Sequence, residues 1–110
     1  HDEAVSWISH LPVLISAALL NALSTEINPS TYSLAKRIAS SGFADTSRVG
    51  GGNPELGVSM AKFNKEHLLK NLSSYKHSLD LLEKYLLEEN WNDLERILVS
   101  TKEGREHFIS

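Results

Sequence analysis

Residues 11–23 constrain the fold of this chain more than any other stretch, because in a helix they are apolar on nearly every side. With the residues before them they predict one helix over 3–23, with Asp2 as its N-cap. Ala4, Ile8, Leu11, Ile15, Ala18 and Ala22 step by 4-3-4-3-4, which aligns them on one face. Trp7, Leu14, Leu19, Leu20 and Leu23 widen that face until the second half is greasy all round. Such a helix must be covered on most sides. Pro12 lacks an amide hydrogen and should kink the helix. A membrane span needs ~20 consecutive apolar residues, and Pro12, Ser16 and Asn21 interrupt this run. The expectation is a buried helix and no membrane partner.

The cover is hard to find within 110 residues, which allow one domain with a modest core. Asn28-Pro29-Ser30 reads as a turn or a cap, and a short helix follows over 30–40. Ser41-Gly42-Phe43 breaks it, and 44–52 is the least regular stretch, ending in Gly50-Gly51-Gly52. Asn53-Pro54-Glu55 is a helix start, with a capping residue, Pro at the first helical position and an acid in the first turn. The pattern then runs over 54–89, jointed around Asn64, with Leu68, Leu72, Tyr75, Leu79, Leu82 and Leu86 forming a coiled-coil-like seam. A last amphipathic helix spans 93–108. No strand-like alternation appears, so the class is all-α, with a kinked apolar first helix, a long amphipathic helix and apolar surface left over for an assembly.

The net charge of −3 excludes a dedicated nucleic-acid binder, which would carry a basic surplus. Cysteine is absent, which removes disulfide and thiolate chemistry and fits a reducing, cytoplasmic compartment. The opening His1-Asp2-Glu3 has neither an initiator Met nor a signal pattern, and reads as a cut inside a longer polypeptide.

Chemistry has few places to live. The histidines His1, His10, His67, His77 and His107 offer no helical metal pair with a third ligand, so no metal is expected. His67 and His77 sit among Lys and Glu and read as surface residues. His10 differs: it stands in the greasy helix beside the proline, where a core role and a functional role are equally open. The run Asp45-Thr46-Ser47-Arg48 ahead of the triple glycine is the one polar, irregular, Gly-flanked segment. An arginine fork can grip a carboxylate or phosphate at two points, and glycines let backbone approach a ligand; an ordinary surface arginine fits equally well. The glycines lack the Gly-Lys-Ser/Thr and preceding strand of a phosphate loop.

Several segments resemble a known family. His1-Asp2, then Ser9-His10-Leu11-Pro12, then the run from Ala39 to Arg48, then Asn53-Pro54-Glu55-Leu56 are similar in order and spacing to the C-terminal domain of prephenate and arogenate dehydrogenases. The resemblance covers roughly the first two-thirds of the chain. It implies an enzyme of tyrosine biosynthesis that couples hydride transfer to nicotinamide with loss of CO2. An N-terminal Rossmann domain of the same polypeptide, outside this chain, is expected to hold NADP or NAD and to supply the catalytic histidine. The helical domain, here 1–110, is expected to close the substrate cleft and form a homodimer, with no catalytic residue of its own. By the same resemblance Arg48 takes a substrate carboxylate and His10 lines the cleft, with Thr46 and Ser47 beside Arg48.

Two departures point within the family. Prephenate-using members often carry a second His after the Leu-Pro pair, where this chain has Val13. Many also carry Trp after Pro-Glu-Leu, where this chain has Gly57. Both favour arogenate, with NADP. Two alternatives stand beside this reading: a stand-alone helical dimer of the chorismate-mutase kind, and an interaction module without a ligand. The first needs several cations in one pocket, whereas the adjacent Lys36 and Arg37 point to different sides of a helix.

Overall fold

A computed structural model describes residues 1–109, and among them every regular element is helical. The all-α expectation holds. Contacts cluster into two compact units, His1–Leu72 and the residues from Ser73 onward.

In the first unit, helix α1 (Asp2–Thr25) is α-helical over Asp2–Val5, widens to a π turn over Ser6–His10, and returns to α-helix over Leu11–Thr25. In a regular helix the Pro12 ring would meet the carbonyl four residues back, that of Ile8. Ahead of the proline the register loosens: the Leu11 N–H donates to the Ser6 carbonyl, five residues back. The expected disruption is therefore a π turn lying just before Pro12. Asp2 is the first helical residue, not the cap, and His1 caps without a side-chain bond.

Of its apolar stripe, α1 buries only Leu11 against its own chain. Its buried residues are Ser6, His10, Leu11 and Ser16, whereas Ile8 is 67% exposed and Ala18, Leu19 and Ala22 are exposed. The only buried apolar side chains among the described residues are Leu11 and Leu68. By length and composition α1 could cross a membrane, and 22% of its apolar window is buried within the chain. The expectation of a buried helix thus fails for the chain taken alone. Its small polar residues bond to neighbouring elements, and the rest of its apolar stripe is left for something outside the chain.

Helix α2 (Pro29–Ile38) starts on Asn28, whose side chain accepts from the Thr31 N–H at 2.8 Å. The predicted break at Ser41-Gly42-Phe43 is instead the start of helix α3 (Ser41–Ser47), and Arg48–Gly51 continue as a 3₁₀ turn. Seven residues are too few to show a helical period, and Ser and Gly mask the propensity. Helix α4 (Pro54–Phe63) is capped as expected: the Asn53 side chain accepts from the Glu55 and Leu56 N–H groups. Asn64 is the joint before helix α5 (Lys65–Leu87), as the sequence predicts.

The second unit contains the end of α5 and helix α6 (Trp91–Arg105), capped by Asn90 accepting from the Asp93 N–H. Between them Glu89 has φ 53°, the left-handed region. Asn90 N–H donates to the Tyr85 carbonyl and Glu89 N–H to that of Leu86, the two bonds of a Schellman ending. Glycine normally takes that place, since a side chain there costs about 1 kcal/mol. Glu89→Gly should therefore stabilise the chain by up to about 1 kcal/mol, raising Tm by a few degrees. Unchanged or lowered melting would remove the strain argument.

Candidate functional site

His10 closes the π turn and is 9% exposed. Its Nδ1 lies 3.3 Å from Asn64 Nδ2, and that same amide nitrogen donates to the Asp2 carbonyl at 2.8 Å. One helical stretch later, Asn71 Nδ2 donates to Ser6 Oγ at 2.9 Å. Ser6, Asn64 and Asn71 are almost fully buried, at 0%, 4% and 1% exposure. Two asparagines seven residues apart thus grip the two ends of the π turn, with buried Leu68 between them in sequence. Buried amides require such partners. Among the described residues no buried side-chain nitrogen is left unsatisfied, and Nδ1 is the ring atom that is paired. Nε2 is therefore the edge of His10 that solvent reaches.

Sequence reasoning placed Asn64 at a joint and passed over Asn71 and Ser6. A signal was present: Asn64, Leu68, Asn71 and Tyr75 step by 4-3-4, so two polar residues share a helical face with two apolar ones.

The Arg48 turn is pinned from the other side. The Gly50 N–H donates to Ser16 Oγ at 2.9 Å, and Ser16 is buried. A Cβ on Gly50 would stand 2.5 Å from the Ala17 amide nitrogen and 2.6 Å from the Ser16 carbonyl carbon. Glycine is required here because a helix backbone occupies the space, so the close approach expected for a ligand is made by α1 itself. Gly51 has nothing near a would-be Cβ. The contact at Ser16 lies six residues past His10 on α1, less than two turns along the helix.

Arg48 opens the 3₁₀ turn, is exposed, and makes no ion pair among the described residues. Ser47 is half-buried before it. The Thr46 hydroxyl donates to the Gly42 carbonyl at 2.9 Å, so toward any further partner it can only accept. The structure thus seats the 3₁₀ turn that Arg48 opens, directly after Thr46 and Ser47 at the end of α3, against the helix that bears His10.

A cavity of about 510 Å³ opens elsewhere in the first unit, between Leu19, Leu23, Tyr32, Ala35 and Phe43. Lys36 is the one charged side chain on its wall. A dianion of the kind a mutase rearranges would find a single cation there. Among the described residues no group of His, Cys, Asp or Glu is arranged to hold a metal ion. Among the described residues there is no strand followed by a Gly-rich turn and a helix of the dinucleotide-binding kind.

Residues 1–100 match the family described as "Prephenate dehydrogenase, dimerization domain". Over 106 residues the chain is 28% identical to prephenate dehydrogenase of Bacillus subtilis (strain 168), a stretch covering 96% of the chain and 28% of that protein. The crystal structure of Synechocystis arogenate dehydrogenase matches with a TM-score of 0.96 and 50% identity, over 99% of this chain and 39% of that one. Prephenate dehydrogenase from A. aeolicus, solved in complex with hydroxyphenyl propionate and NAD+, matches with a TM-score of 0.87 and 25% identity, over 98% and 37%. The chain spans well under half the length of each of these relatives.

Proposed function

The chain belongs to the prephenate dehydrogenase dimerization-domain family, and we propose that it is the C-terminal helical domain of a cytoplasmic, NADP-dependent arogenate dehydrogenase of tyrosine biosynthesis. In this reading an N-terminal Rossmann domain of the same polypeptide holds NADP, or NAD, and supplies the catalytic histidine. The helical domain contributes substrate contacts and the homodimer interface. Support for arogenate over prephenate comes from Val13 and Gly57, and from 50% identity to the arogenate enzyme against 25% and 28% to the two prephenate enzymes.

The observation that carries the substrate-side reading is the seating of Gly50 on Ser16. It fixes the Arg48 turn against the helix whose His10 turns Nε2 outward. Arg48 is the fork for the carboxylate of the substrate's side chain, making two charge-assisted bonds. Ser47 keeps a hydroxyl donor beside it. His10→Asn tests the reading. KM for arogenate should rise about tenfold, the worth of one hydrogen bond to a charged group, with stability lowered by no more than about 1 kcal/mol. Normal KM in a variant that melts early would make His10 a core residue only.

The assembly follows from the exposed apolar stripe of α1 and, in the second unit, from exposed Leu79, Leu86, Leu87 and Trp91. An obligate interface buries on the order of 2,000 Å² or more with core-like composition. Sedimentation of the chain at micromolar concentration should give twice its 12.2 kDa mass. A stable, soluble monomer would refute the homodimer.

A further inference from the structure

We propose that Asn64 is a positioning residue for the substrate: it holds the His10 ring in the tautomer whose outward Nε2 carries the hydrogen. The inference rests on the reading of His10 as a ligand contact and adds the direction of that contact.

Chemistry fixes the assignment. The Asp2 carbonyl oxygen can only accept, so the amide atom 2.8 Å from it is the nitrogen of Asn64. That nitrogen carries two hydrogens, one for Asp2 and one for the ring atom 3.3 Å away. His10 Nδ1 is therefore an acceptor, and the proton of the neutral ring sits on Nε2. What a ligand meets is a hydrogen-bond donor, suited to a carboxylate, carbonyl or hydroxyl oxygen, and unsuited to receiving a proton from substrate.

The placement of Asn64 lets it set this direction. Its side chain is 4% exposed, and its backbone is held from both sides, donating to the Met60 carbonyl and accepting from the Leu68 N–H. At the joint between α4 and α5 the amide meets both the first residue of α1 and the last residue of the π turn. Asn71 provides the control, because it holds the other end of the π turn through Ser6 and has no bond to His10.

Selective ¹⁵N-histidine NMR on the full-length protein at about pH 8, above the ordinary imidazole range, reads the tautomer directly. The His10 signals should show a bare Nδ1 and a protonated Nε2. A protonated Nδ1 with bare Nε2 overturns the proposal without any variant. Asn64→Asp offers the ring an acceptor and should move the proton to Nδ1, raising KM for arogenate about tenfold while kcat changes little. Asn64→Ala, which imposes neither tautomer, should raise KM by less. Asn71→Ala should lower Tm but leave both tautomer and KM as they were. If His10→Asn raises KM and Asn64→Asp does not, the positioning role fails while the site reading stands. If His10→Asn leaves KM unchanged, the site reading fails first, whatever the tautomer.

Discussion

Gly50→Ala should cost this chain about 3 kcal/mol, which on a domain of this size lowers Tm by roughly 10–20 °C. The added Cβ would stand at 2.5 Å from the Ala17 amide nitrogen and 2.6 Å from both the Ser16 carbonyl carbon and Ser16 Oγ. Two of these atoms are helix backbone and cannot rotate aside. Relief requires lifting the 3₁₀ turn away from α1, which also breaks the Gly50–Ser16 hydrogen bond. Overpacking of this kind costs about 1–3 kcal/mol, and the lost bond adds about 1 kcal/mol. Because Arg48 is two residues away, affinity for arogenate should fall in the same variant. Gly51→Ala is the comparison, since nothing lies within 4 Å of its would-be Cβ. Equal melting of the two variants would show that the turn is not pinned to α1.

That contact could not be read from the sequence, and the reason is distance along the chain. Ser16 and Gly50 are 34 residues apart, and neither belongs to a periodic pattern that names the other. Features that depend on neighbouring residues were legible: the Asn28 and Asn53 caps, the joint at Asn64 and the disruption beside Pro12 all follow from local chemistry. Helix α3 was hidden because seven residues beginning Ser-Gly show no period. The buried face of α1 was misplaced for a physical reason. Hydrophobic periodicity finds the stripe that must leave water, but not what covers it. Here Ser6, His10 and Ser16 face the chain's own elements while Ile8 and Leu19 stay exposed. His10 and Arg48 gained functional meaning from family resemblance, not from spacing. Asn64 gained it only from geometry.

Arg48→Ala in the full-length enzyme should raise KM for arogenate far more than it lowers kcat. The guanidinium is exposed and unpaired within the described residues, on a turn fixed to α1, so it is available to a ligand at little cost in rearrangement. If it gripped the carboxylate that departs as CO2, tight ground-state binding would oppose the reaction. Only contacts that strengthen in the transition state raise kcat, so the role proposed for this arginine is binding and orientation at the other carboxylate. Losing one partner of a desolvated charge pair costs ~2–5 kcal/mol, or ~30-fold and more in kcat/KM. Arg48→Lys should recover only part, because a point charge cannot reproduce the two-point fork. Stability should barely move in either variant, in contrast to Gly50→Ala.

In the proposed reading this domain carries the substrate's side of the site and none of the nucleotide's. Paired calorimetric titrations of full-length wild type and Arg48→Ala, one with arogenate and one with NADP, test it most directly. In Arg48→Ala, Kd for arogenate should rise ~30-fold or more while Kd for NADP stays within about twofold. Equal weakening of both ligands, or no weakening of arogenate, would contradict it.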